Sequence, residues 1–185
     1  MRYPDSRKEE THARIVASAA ELLRGAGVNG IGVADLMKSV GLTHGGFYAH
    51  FDSKEALVAE SLGTALDQTI ARLRAAGEEA PKNNARQAIA ASYLSAKHRD
   101  NPEKGCAVAS LGADVARLTP ATKAVFEAKL ETMLAMLEEH SGARTDARDK
   151  AIAMFSTMVG ALLLSRAVRS KSLSEEILEA ARESI

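Results

Sequence analysis

Between Thr43 and Lys54 the chain reads THGGFYAHFDSK, and here its side chains are best equipped for chemistry. Thr43 brings a hydroxyl, His44 and His50 bring imidazoles, Tyr48 a phenol and Lys54 a fixed positive charge. From Lys38 to Lys54 the only acid is Asp52, so the segment offers donors and positive charge to an anion such as phosphate. Gly45 and Gly46 leave the backbone between them uncovered. Patterns for catalysis are missing. There is no His-Glu-x-x-His, phosphate-cradling loop or serine elbow, and histidines 12, 44, 50, 98 and 140 have no metal spacing. Neither an enzyme nor a cofactor is expected. GAGVNG at 25–30 has the glycine spacing of a dinucleotide fingerprint, but it follows a helical stretch instead of a strand and reads as a helix stop and turn.

The elements that would carry these side chains form a helix-turn-helix. Val33, Leu36, Met37 and Val40 are apolar at helical spacing, Gly41 breaks the helix, and Thr43 offers a cap to a second helix over 44–50. Phe47 and Phe51, four apart, share the face that is buried. Tyr48, His44 and the glycines then look outward, which docking in a DNA groove would explain. A first helix is expected over 7–24, preceded over 1–7 either by an arm with Pro4 in which Arg2 and Arg7 are available for phosphates, or by a plain disordered terminus. Beyond the motif, Asp52 and Glu55 have capping-box spacing with Ser53 as an alternative cap, and a helix runs on to the turn at Gly77. Further helices are expected over 84–99, from Gly105 and Cys106 to 118, from the Thr119–Pro120 start to 140, over 147–169, and from a Ser172–Glu175 box onward. Ser141, Gly142 and Thr145 mark a loop. No stretch alternates like a strand. The expected fold is all-α, about nine helices, with a DNA-binding headpiece over 1–55 and a ligand-binding and dimerisation body over 56–185.

From Ile15 to about Leu62 the chain resembles the DNA-binding domain of the TetR family of bacterial transcriptional repressors, through Gly-Leu-Thr, Phe-Tyr-x-x-Phe and Ser-Lys-Glu at the family's mutual spacings. The resemblance implies a homodimer on a near-palindromic operator, released by a small molecule bound in the body. On the residues themselves Thr43, His44, Gly45, Gly46 and His50 are candidate DNA contacts, His50 reading equally as an exposed side chain without a partner, and the resemblance adds Tyr48 as a contact to backbone or base and Lys54 as a phosphate-binding lysine. His44 stands where the family often has lysine, and Gly46 where it often has a hydroxyl residue. A permanent charge is thereby exchanged for one only partly present at neutral pH.

Charge alone does not announce a nucleic-acid binder, because 24 basic and 24 acidic residues cancel. The positive face is local to the motif. The N-terminus has no apolar run of a secretory signal, and the apolar stretch 151–164 is too short to span a bilayer, so a cytoplasmic protein is expected. That stretch is apolar or small on every side and so needs cover on every side. The body can cover one side and a second copy the other, giving a dimer through the eighth and ninth helices at Gly160, Leu163 and Ile177. A central core helix in a monomer is the alternative.

Tyr93, Phe126, Met133, Phe155 and Met158 suit an adaptable apolar ligand pocket, or plain core. Cys106, the sole cysteine, lies in GCAVASLGADVAR, which resembles a branch of the family with Gly-Cys at that helix start, where some relatives respond to oxidants or electrophiles. An inducer that is apolar or electrophilic follows. Cys106 reads either as a small packing residue or as a thiol sensor assisted by Lys104 and the helix N-terminus. A helical ligand-binding protein without operator binding stays open as a further class.

Overall fold

Four of the described helix starts are fixed by hydroxyl caps, at Ser53, Ser95, Thr119 and Ser170. The Ser53 hydroxyl accepts from the Ala56 N–H at 3.0 Å and begins a helix at Lys54, and Thr119, followed by Pro120, accepts from the Thr122 N–H at 3.5 Å to begin another. A computed structural model describes residues 5–30, 32–140 and 145–185. Among these it has nine α-helices and no strand: α1 Asp5–Ala26, α2 Val33–Ser39, α3 Lys54–Glu78, α4 Ala85–Tyr93, α5 Ala96–Asp100, α6 Ala107–Val115, α7 Pro120–Glu139, α8 Ala147–Ala167 and α9 Lys171–Glu183. Short 3₁₀ turns lie at Val28–Gly30, His44–Ala49, Lys82–Asn84 and Pro102–Lys104. Arg2 and Pro4 of the expected arm, and Ser141 and Gly142 of the expected loop, lie outside the described residues.

Four expectations change. The second helix of the motif is a run of 3₁₀ turns, with Gly46 N–H to Thr43 O at 3.0 Å and His50 N–H to Phe47 O at 2.9 Å. Two adjacent glycines leave little helix propensity there, and the Thr43 hydroxyl makes no capping bond. The helix expected over 84–99 breaks after Tyr93, because the Ser95 hydroxyl donates to Ser92 O at 2.9 Å and accepts from His98 N–H at 3.2 Å, ending one helix and capping the next. α6 stops at Val115, short of 118. α9 is capped by Ser170, which accepts from Leu173 N–H at 3.2 Å, two residues before the box that the sequence suggests.

Two apolar clusters organise the packing. The N-terminal one joins α1 (Ile15, Ala19, Leu23), α2 (Leu36, Met37), the 3₁₀ run (Phe47) and Phe51 to Leu57, Leu62 and Leu66 of α3 and Leu111 of α6. The second joins Leu73, Ile89, Tyr93, Cys106, Met133, Leu137, Met154, Phe155, Met158 and Leu178. α3 and α6 contribute to both, so headpiece and body share two continuous rods. α8 is long and apolar enough to cross a membrane by length and composition, which the shorter run read from sequence was not. Its apolar residues are not all covered: Met154, Phe155, Met158 and Leu162 are buried, whereas Ile152, Leu163 and Leu164 are exposed, as is Leu173 of α9.

Candidate nucleic-acid interface and the polar hub behind it

The helix-turn-helix is anchored from inside. Gly41 ends α2 with φ +75°, a conformation that favours glycine, and Leu42 N–H closes the turn onto Met37 O at 2.8 Å. Phe47 and Phe51 are both buried, with ring centroids 5.5 Å apart, so the 3₁₀ run is pinned by the face the sequence assigns to the core. Opposite that face Thr43, His44, Gly45, Tyr48 and Lys54 are exposed, and Tyr48 keeps 67% of its surface open. The Tyr48 ring meets His44 edge-on at 6.2 Å and Phe47 at 5.3 Å, which fixes its direction without hiding it.

Gly46 is half-buried and Gly45 exposed. A Cβ at Gly45 would meet nothing, and one at Gly46 would make ordinary contact with Met37 and Thr43 at 3.7 Å. The chain's own packing therefore does not call for glycine at either place. His50 is half-buried, its Nδ1 is buried without a hydrogen-bond partner, and its ring lies 5.9 Å from that of His12. Burial, then His12 and Lys8, hold the His50 pKa below the ordinary imidazole range. His12 in turn stacks on Phe51 at 4.5 Å and bonds Glu60 through Nε2 at 2.7 Å.

To Arg7, expected from the sequence as a phosphate contact, α1 adds Lys8, Thr11 and Arg14. Arg7, Lys8, Thr11 and Arg14 line a cleft of about 960 Å³ together with Thr43, Gly46 and His50. Arg14 donates to Val40 O at 2.8 Å and ties α1 to the end of α2. Residues 7, 11 and 14 follow the helical repeat of one face, a signal that the cancelling acids Glu9 and Glu10 hide in any net count.

Of the proposed pocket residues, Tyr93, Cys106, Met133, Phe155 and Met158 are brought together in the second cluster, all at most 4% exposed. Phe126 is not among them; it is half-buried against the N-terminal cluster. The Tyr93 hydroxyl is buried with no hydrogen-bond partner. Burial, and the neighbouring Cys106, push its pKa well above the ordinary phenol value.

Beside Cys106 lies a polar hub built on backbone carbonyls. The Cys106 N–H donates to His98 Nε2 at 2.8 Å, so the ring proton sits on Nδ1, which donates to Tyr93 O at 2.6 Å. Burial lowers the His98 pKa to about 4 against the partial support of that Tyr93 bond, and the ring is neutral. Arg24 donates to Glu103 O at 2.6 Å, Arg72 to Lys104 O at 2.7 Å, and Arg166 to His98 O at 2.7 Å and Arg99 O at 3.0 Å. Three helices thus grip the segment 98–104. Further links join headpiece and body: Val28 N–H to Asp114 at 3.2 Å, and the Thr119 hydroxyl to Glu55.

Residues 15–61 match the family model of bacterial regulatory proteins, tetR family. The whole fold is similar to the reduced form of NemR from E. coli, at TM-score 0.80 and 21% identity, over 95% of this chain and 94% of that one. It is also similar to a TetR transcriptional regulator from Chloroflexus aurantiacus, at TM-score 0.80 and 22% identity over 97% and 96% of the two chains. A TetR-family regulator from Cytophaga hutchinsonii gives TM-score 0.82 and 19% identity over 96% and 94%. No curated protein matches by sequence. Residues 15–61 thus carry the sequence pattern of the tetR family of bacterial regulatory proteins, and nearly the whole length of the chain has the fold seen in TetR-family regulators.

Proposed function

We propose that the chain is a homodimeric repressor whose 1–55 headpieces enter successive major grooves of a near-palindromic operator and leave when a small molecule binds in the 56–185 body. The observation that carries the DNA side is Tyr48: an aromatic ring left 67% exposed above the buried Phe47–Phe51 anchor. Thr43, His44, Gly45 and Gly46 approach the groove with it, Lys54 and the α1 bases Lys8 and Arg14 take phosphates, and His50 supports the surface from behind. The test is a gel shift on the DNA upstream of its own gene. Lys54→Ala should weaken binding about equally on all sequences and flatten the salt dependence, by a slope of roughly one phosphate contact. Unchanged affinity and slope would mean that the headpiece docks differently.

The dimer reading is supported by the apolar face of α8 and α9, where Ile152, Leu163, Leu164 and Leu173 are open to solvent and Gly160 and Ile177 half-covered. At Gly160 a Cβ would meet nothing within the chain, so close approach of a second α8 is what glycine would serve there. The inducer reading centres on Tyr93, Cys106, Met133, Phe155 and Met158, with Phe126 of α7 at the edge. A buried phenol without an acceptor favours a ligand bearing one. The thiol alternative rests on Cys106 standing at the N-cap of α6 beside that phenol, but full burial means an electrophile reaches it only when the core opens.

A further inference from the structure

We propose that the cleft between α3, α4 and α5 binds the carboxylate of a small organic acid, with Arg72, Lys97 and Lys104 as its cationic wall. The cleft measures about 600 Å³, within the range that small-molecule sites occupy. Those three cations line it against one acid, Glu79, in a chain whose overall charge is zero. Ala75 and Ala76 line it too and give an apolar body a surface to rest on.

Arg72 has the unspent capacity. One of its terminal nitrogens donates to Lys104 O at 2.7 Å, and the other, Nη2, is buried with no hydrogen-bond partner. Behind it stand Arg24 and Arg166, and none of the three makes an ion pair among the described residues; each spends its donors on carbonyls and uncharged side chains. Burial holds the pKa of Arg24 and Arg166 below the ordinary guanidinium value, and the positive charge of Arg72 adds to it in both. An anion in the cleft supplies a charge against the crowding, and Arg72, half-buried at the cleft wall, gains an acceptor for Nη2 by turning that nitrogen out of its closed position toward the ligand. The planar guanidinium matches a carboxylate in shape.

The cleft is coupled to the headpiece through the segment it touches. Drawing Arg72 toward a ligand competes with its bond to Lys104 O, in the same turn that Arg24 of α1 holds at Glu103 O. This last step rests on the repressor reading above; carboxylate binding does not.

The experiment is calorimetric titration of the full chain, without DNA, by benzoate, hexanoate, benzamide and inorganic phosphate. Saturable binding of benzoate or hexanoate at least tenfold tighter than benzamide is expected. Lys97→Gln, on an exposed residue, should weaken it severalfold and Arg72→Gln at least tenfold, while Lys171→Gln in the separate cleft beside α9 leaves it unchanged. Absence of saturable binding by either acid, equal binding of benzamide or of phosphate, or indifference to both cleft variants overturns the proposal. A gel shift with the acid that binds then reads the coupling. Binding without release of DNA retains the cleft and overturns the headpiece step, and release of DNA supports both.

Discussion

His98 is locked in one protonation state by its neighbours. Its Nε2 accepts from the Cys106 N–H, and its Nδ1 donates to Tyr93 O, so a second proton has to displace the first of these bonds. The folded pKa of about 4 lies below the ordinary 6.5. Above pH 6.5 folded and unfolded chains both carry the ring neutral, and it adds no pH dependence. Between 6.5 and 4 the unfolded chain takes the proton first, so stability falls as pH falls, by roughly 3 kcal/mol in all. Urea unfolding at pH 7 and pH 4.5 checks this: His98→Gln should start less stable and lose less on acidification, and parallel losses would contradict it. Cys106 offers a second test at this scale. If it only packs, Cys106→Ser costs a modest amount of stability and leaves induction as it was. If it is the sensor, the serine variant binds DNA but is no longer released by peroxide, quinone or aldehyde in a gel shift, whereas wild type is. Gly45 provides a third. Since a Cβ there meets nothing, Gly45→Ala should fold as well as wild type in thermal melts yet bind operator more weakly, and unaltered DNA affinity would remove the close-approach reading.

At the scale of elements, the starts at Ser53 and Thr119–Pro120 were legible because one hydroxyl stands at the right spacing and nothing competes for it. The start of α9 was not. Ser170, Ser172 and Ser174 all precede or open that helix, and the choice falls to tertiary contacts: Ser174 donates to Ser165 O at 2.7 Å and accepts from Arg99 at 3.0 Å. The break at Leu94 and Ser95 was illegible for the same reason, since it turns His98 into the hub, and no local propensity announces that. The pairing of Phe47 with Phe51 could be read from spacing, but the 3₁₀ geometry between them could not. The helix-wide apolar composition of α8 called for cover on a second side, and its face at Ile152, Leu163 and Leu164 is where the chain supplies none. Leu163→Glu should therefore convert a dimer in sedimentation to monomer or aggregate and reduce operator affinity by at least tenfold. A variant that stays dimeric would move the interface elsewhere.

Across the whole molecule, the segment 98–104 joins parts that the sequence lists far apart. Arg24 reaches it from α1, Arg72 from α3 and Arg166 from α8, so this one turn is hydrogen-bonded to the first helix, the shared rod and the helix of the proposed dimer face. None of those arginines was a candidate on sequence grounds, because each binds carbonyl oxygens that only the fold brings to it. The exposed headpiece surface, by contrast, follows from residue type and spacing over a dozen positions. In the proposed regulator that surface reads DNA as one half of a symmetric pair. Footprinting of wild type and Tyr48→Ala on the upstream DNA measures it. Two protected patches are expected, with centres about 34 Å or a multiple of it apart, and both should fade together in Tyr48→Ala at protein concentrations that saturate the wild type. A single patch, no sequence-specific protection, or a footprint that Tyr48→Ala leaves unchanged would contradict it.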